Sequence, residues 1–190
     1  MGKVILPGST KLAPVPAILV GTGGKGFKNN LITVAWAGVL NSEPPMLSIS
    51  VRPGRFSYEA LDKTGEFTVN VPAADQAEIL DWCGVVSGKD HDKFSERGLH
   101  AIAGSQVSAP IVEECPISLE CKVKEKISLG THDMFIAEIL AVQVSEEFMN
   151  ADGKFDLSET NLLAYVCGQY YALGGLIGSF GFSIKNKTGE

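Results

Sequence analysis

The chain has 190 residues, 45% hydrophobic and 20% charged, an ordinary globular mixture long enough for one well-buried core and short for two. Its formal net charge of -6 argues against a nucleic-acid or acidic-membrane partner, and no apolar run is long enough to cross a bilayer as a helix. Cys83, Cys115, Cys121 and Cys167 form no C-x-x-C pair and there are three histidines, so neither a disulfide framework nor a zinc site is expected, and no metal is assigned. The thiols are expected to be free in a reducing cytoplasm, with Cys83 and Cys167 serving as small buried hydrophobes.

In chain order, residues 12–20 follow Lys3 and Lys11 somewhat as a signal peptide would, but Pro14 and Pro16 break the run and no good cleavage site follows. The segment reads as a lead-in to a buried strand over 17–22. Gly21-Thr22-Gly23-Gly24-Lys25-Gly26 has the letters of a dinucleotide fingerprint. A helix would have to follow to face a pyrophosphate, yet Phe27-Lys28-Asn29-Asn30 and a β-branched stretch follow instead, so the glycines mark a hairpin turn. Residues 30–39, 47–51 and 67–71 are expected as strands. Between the last two, Arg52-Pro53-Gly54-Arg55-Phe56-Ser57 leads into a helix over 58–63 that Gly65 closes. Two arginines, Ser57 as an N-cap and the free amides of a helix start suit a phosphate.

Residues 73–83 look helical, with Ile79, Leu80 and Cys83 on one side and Asp75, Glu78 and Asp81 on the other. A polar loop over 87–91 and one helical turn over 92–97 follow. Residues 117–123 alternate as a strand with one wet face does, and a turn over 129–133 returns the chain through 134–144 as a long hairpin. Many strands joined by hairpins, with few short helices, predict an all-β antiparallel barrel, closed or nearly so. No repeat or linker divides the chain, so 1–190 is expected as one domain. Its tail over 157–190, apolar, aromatic and rich in glycine, is expected to pack on the barrel or on a second subunit.

Several blocks stand in a recognisable order: Asn30-x-x-Thr33-Val34-Ala35-Trp36, Pro44-Pro45, Ser48-Ile49-Ser50-Val51-Arg52-Pro53, Ser57-Tyr58, and Gly65-Glu66-Phe67-Thr68-Val69-Asn70-Val71-Pro72. Cys83-Gly84, Ser87-Gly88, Asp92-Lys93-Phe94 and Gly130-Thr131-His132-Asp133-Met134-Phe135-Ile136 continue it. Over nearly the whole chain this set resembles the flavin reductase-like family of FMN-binding split β-barrels, which includes flavoredoxins and ferric reductases. The resemblance implies that Asn30, Thr33, Ala35 and Trp36 line the flavin, and that Ser50, Arg52 and Ser57 reach its ribityl chain and phosphate. It also implies Lys93 as a second cation for the phosphate, placed at the end of a flexible stem. His132 would lie where a nicotinamide docks, positioning it or steering a phosphate. Tyr165, Tyr170 and Tyr171 resemble the tyrosine-rich tail with which some members reach the flavin.

What the resemblance implies for function is an NAD(P)H-dependent flavin or ferric reductase, homodimeric, with FMN carrying the chemistry and passing electrons to free flavin, iron or a redox protein. A flavoredoxin-like electron carrier with tightly held FMN and no NAD(P)H site shares the same FMN residues and stands as the alternative.

Overall fold

In the computed structural model, which describes residues 2–157 and 160–185, strand pairing begins at β1 (Val15–Pro16) and continues in β2 (Ile18–Gly24). Both faces of β2 are buried, which explains its unbroken run of small and aliphatic residues: Ile18 and Val20 join one core cluster, Leu19 another. The glycines do form a hairpin turn, with Lys25 and Gly26 at φ of 52° and 92°, and the chain returns in β3 (Phe27–Val34). No helix follows.

The single strand expected over 30–39 is in fact two. β3 stops at Val34, the chain bends at Ala35 and Trp36, and β4 (Ala37–Ser42) pairs instead with β5 (Pro45–Val51). A Ser50 amide bond to the Trp36 carbonyl at 2.9 Å holds the bend. The propensity for extended backbone is continuous across the bend, so only the choice of partner strand reveals it.

After β5 come α1 (Phe56–Thr64), ended by Gly65 in the left-handed conformation with its amide on the Leu61 carbonyl, and β6 (Glu66–Val71). The next helix opens with a 3-10 turn (Ala74–Gln76) before α2 (Ala77–Val85). The expected single turn is α3 (Lys93–Glu96), capped by the Asp92 carboxylate on the Ser95 amide. A short pair, β7 (Ala101–Ile102) and β8 (Ile111–Val112), precedes the long hairpin of β9 (Ile117–Ser128) and β10 (Asp133–Val144). A second hairpin, β11 (Leu163–Val166) and β12 (Gln169–Ala172), and the short α4 (Phe182–Lys185) complete the described chain.

Seven strands form one antiparallel sheet in the order β3-β2-β6-β9-β10-β5-β4. Its outermost strands, β3 and β4, are consecutive in the chain, so the sheet curls until both edges meet at the Ala35–Trp36 corner. That is a split barrel, the all-β architecture expected. Inside it Ile32, Val34, Ile49, Phe67 and Phe135 pack with Leu61 of α1, while Leu31, Leu80, Cys83 and Phe94 form a second cluster beneath α2 and α3.

Two expectations about burial are corrected. Ser118 and Glu120 of β9 do not face water: they are 2% and 0% exposed, Glu120 bonded by the 104–108 loop and Ser118 donating to Asn70 Oδ1 at 2.8 Å. Cys167 is not a buried hydrophobe, because it sits exposed in the β11–β12 turn at φ 48°, whereas Cys83, Cys115 and Cys121 are buried free thiols. The first part of the tail packs on the barrel, with β11 paired to β1 and Leu163 buried. Leu176, Ile177 and Phe180 remain almost wholly exposed. Residues 158–159 and 186–190 of the expected tail lie outside the described residues.

Candidate functional site

A cleft of about 520 Å³ opens where the β3–β4 corner meets the end of β5, the last turn of α2, the β9–β10 turn and the β11–β12 hairpin. Thr33, Ala35, Trp36, Ser50, Arg52 and His132 line it, together with Arg55, Asp81, Tyr165 and Tyr170. A recess of about 110 Å³ adjoins it, sharing Ile32, Arg55, Gly84 and Val85 and lined further by Asn30, Ser57, Gly88 and Lys93. All nine site residues expected from sequence therefore fall in two adjoining cavities, six in the cleft and three in the recess. Arg55, Gly88, Tyr165 and Tyr170 were not among them. Arg55 was legible as the second cation of the turn, and the tyrosines were visible in the tail, but only the fold brings either to the cavity wall.

The recess is built by three elements. Arg55, not Ser57, occupies the N-cap position of α1, no side chain caps the helix, and its first residues, Phe56 and Ser57, line the recess. Ser57 lies inside the first turn, 1% exposed, where its Oγ accepts from Asn30 Nδ2 at 2.7 Å. Its own hydroxyl proton stays available to a ligand.

Lys93 departs from expectation. It is 3% exposed, and its Nζ donates to the carbonyls of Leu31 at 2.8 Å and Cys83 at 2.6 Å, which leaves one donor over. Instead of a mobile point charge, α3 delivers a fixed ammonium. Burial, with Arg55 nearby, pushes its pKa down to about 8.

Gly88 is needed for the recess to exist. A Cβ there would stand 2.1 Å from Asn30 Oδ1 and 2.7 Å from Phe56 Cδ1. Gly88→Ala is therefore expected to push Asn30 off Ser57 and weaken binding of a phosphate ligand at least about tenfold. A titration of flavin fluorescence would measure this, and wild-type affinity in the variant would show that the recess is not the seat.

In the cleft, the Thr33 hydroxyl donates to the Leu80 carbonyl, tying β3 to α2, so its proton is already used. Trp36 is half exposed at the corner, and its ring lies 4.5 Å from that of His132. His132 Nε2 accepts from Arg52 Nε at 3.4 Å, which places the imidazole proton on Nδ1, 3.0 Å from Thr131 Oγ1. Burial and the guanidinium charges of Arg52 and Arg55 lower its pKa below the usual histidine value. At neutral pH His132 is thus a neutral ring, suited to stacking and accepting rather than to steering an anion by charge. Its turn is held from below by Asp133, whose carboxylate accepts from Tyr58 Oη and from Ser128 Oγ at 2.8 Å. Across the cleft Tyr170 Oη donates to Asp81 at 3.1 Å, and burial with that bond pushes the phenol up to about 12.

A cation fixed in a small recess, beside a larger cleft walled by aromatic rings, is what a barrel needs to hold a phosphate and the planar ring attached to it. The fold is thus a split barrel, and the site a cation-bearing recess joined to an aromatic-walled cleft. Residues 10–174 match the flavin reductase like domain family, and the chain belongs to that family. Its structure is similar to that of flavoredoxin of Desulfovibrio vulgaris (Miyazaki F), with a TM-score of 0.88 and 32% identity over 96% of this chain and 99% of that one. It is also similar to flavoredoxin from Methanosarcina acetivorans, with a TM-score of 0.87 and 29% identity over 98% and 100% of the two chains. FMN reductase (NADH) RutF of Pseudomonas syringae is 26% identical over 125 residues, 66% of this chain and 67% of its own.

Proposed function

We propose that this protein is an FMN-binding oxidoreductase, an NAD(P)H-dependent flavin or ferric reductase. The carrying observation is the buried Lys93 ammonium beside Asn30 and Ser57 in a recess that opens into an aromatic-walled cleft. Those residues fit FMN chemically. Lys93, Arg55, the Ser57 hydroxyl and the α1 amides would hold the phosphate, and Ser50 the polyol. Thr33, Ala35 and Trp36 would line the ring.

When bound, FMN supplies the two-electron redox chemistry. The chain's own contribution is affinity, orientation and exclusion of water. Tyr165 and Tyr170 narrow the cleft from the tail side, and the His132 turn forms the opposite lip, where a nicotinamide ring would dock. The exposed apolar residues Leu176, Ile177 and Phe180 suit contact with a second copy of the chain, so the reading includes a homodimer. It places the protein in the cytoplasm. Among the described residues no helix is long and apolar enough to cross a membrane.

A second reading, a flavoredoxin-like carrier without NAD(P)H activity, is favoured by the similarity to the two flavoredoxins. A ferric chelate or a redox protein would be the electron acceptor in the first reading and a redox protein in the second. Purified protein is expected to be yellow, to release a chromophore with the mass of FMN, and to bleach within seconds when mixed anaerobically with NADH or NADPH. Flavin that resists both nucleotides but bleaches with dithionite selects the carrier. Colourless protein that takes up no added FMN overturns both.

A further inference from the structure

One row of the barrel interior changes character at its end. Along β2, Ile18 and Val20 stand opposite Val34 and Ile32 of β3, all four buried in the apolar cluster that Leu61 of α1 joins. The next pair in the same row is Thr22 opposite Asn30, 0% and 3% exposed. Valine has the shape of threonine and would continue the row with no polar group to dehydrate. Among the described residues the Thr22 hydroxyl is buried and has no hydrogen-bond partner on the chain. A buried hydroxyl without a partner is costly, so this one calls for a partner from outside the chain.

Thr22 lines a cavity of about 50 Å³ between β2, β3 and α1, walled on its apolar side by Phe27, Phe56 and Ala60. Asn30, Phe56 and Ser57 line both this cavity and the recess that holds Lys93, so the bonded pair Asn30–Ser57 stands between the two. Asn30 Nδ2 spends one proton on Ser57 Oγ at 2.7 Å and has a second to give. The volume exceeds the roughly 10–15 Å³ that one water needs, and Thr22 and Asn30 supply the polar partners to hold it. The exposed residues Lys28 and Glu59 complete the lining, so water reaches the cavity from solvent.

We propose that this cavity holds a buried water molecule, bonded to the Thr22 hydroxyl and the Asn30 amide, and that Thr22 acts through it as a positioning residue for the phosphate seat. The water fixes the Asn30 amide plane, and Asn30 in turn occupies one lone pair of Ser57 Oγ. The Ser57 proton is thereby turned toward the recess, where a phosphate oxygen accepts it. The proposal rests on the FMN reading and deepens it, since it adds a residue that lines neither the recess nor the cleft.

A high-resolution crystal structure of the FMN-loaded wild type tests the water directly. A water within about 2.6–3.2 Å of both Thr22 Oγ1 and the Asn30 amide is expected, and a dry cavity would overturn the proposal. Titrations with FMN and with riboflavin, which has the same ring and polyol without the phosphate, test the positioning role. Thr22→Val is expected to weaken FMN binding about 3- to 10-fold, as loss of one hydrogen bond implies, and to leave riboflavin binding unchanged. Thr22→Ser, which keeps the hydroxyl, is expected to restore FMN binding. Equal losses for both ligands would mean a general packing fault, and unchanged FMN binding by Thr22→Val would mean an idle hydroxyl. Either result overturns the role of Thr22. If the valine variant does not fold, the water in the wild-type crystal decides. FMN uptake by wild type is measured first: its failure would remove the phosphate role together with the FMN reading. A dry cavity beside intact FMN binding would remove the Thr22 water alone.

Discussion

Lys93→Met is expected to weaken FMN binding by about 2–3 kcal/mol, about 30- to 150-fold, because it deletes the buried ammonium of the recess. Wild-type protein offers a companion measurement that needs no mutation. Burial holds the Lys93 ammonium at about 8 in the FMN-free protein, against an ordinary 10.5. Between those values the unfolded chain keeps a proton that the folded chain has released. Stability contributed by this group therefore rises as pH climbs from 8 to 10.5, and below 8 its burial cost is constant.

Binding a phosphate dianion has the opposite preference, since it needs the proton on Lys93. FMN affinity should fall as pH rises above 8, by about tenfold per pH unit at the steepest, and the Met variant should lose that slope. Leu31 and Cys83 carbonyls lose their donor in the variant, so thermal unfolding must be followed alongside. A wild-type affinity that stays flat from pH 8 to 9.5 would sink the assignment even if the variant misfolds.

Glu120→Gln should cost about 2–4 kcal/mol of folding stability, which for a chain of this length lowers the melting temperature by about 6–12 °C. Glu120 is fully buried in the middle of β9 and accepts five hydrogen bonds. They come from the amides of Ser105, Gln106 and Val107, the Ser105 hydroxyl and the Gln143 side chain. Burial alone would raise its pKa, but these donors outweigh burial and bring it down to about 2.

A depressed acid stabilises the folded state fully above its ordinary value of 4.5, and the gain, about 3 kcal/mol, is lost as pH falls from 4.5 towards 2. Glutamine keeps one acceptor oxygen and turns an amide donor toward N–H groups, so the 104–108 loop would lose its anchor. Glu66 holds the end of the same loop through Ser108 and would remain. Denaturation curves at pH 7 and pH 3 check this. If the variant matches wild type at pH 7, or keeps the wild-type loss of stability on acidification, the carboxylate does not hold the loop.

Both predictions rest on residues that the sequence showed unevenly. Lys93 was expected as a cation for phosphate only through the family resemblance, and its fixed, dehydrated state was not legible at all. Nothing local tells a surface lysine from one threaded between Leu31 and Cys83, because one carbonyl comes from β3, 62 residues away, and the other from the end of a separate helix, α2. Glu120 was read as the wet face of an alternating strand. Alternation shows which residues share a face, while what covers that face depends on a loop with no periodicity of its own. Ser57 was expected as the helix N-cap, a position that Arg55 takes instead, since helix starts are uncertain by a residue or two until the backbone is seen.

The amino-acid sequence by itself determined the strand-rich antiparallel class, the turn at the glycines, the long β9–β10 hairpin and the set of polar residues that the fold gathers at two adjoining cavities. Those features are local: they follow from side-chain period, turn chemistry and residue type over a few positions. Only the tertiary structure decided the bend at Ala35–Trp36, the reach of Arg55 but not Arg52 into the inner recess, and which of the tail tyrosines, Tyr165 and Tyr170, form the cleft wall. Each depends on which distant segment becomes a neighbour when the sheet closes, and closure is set by packing throughout the barrel rather than by any short stretch of chain.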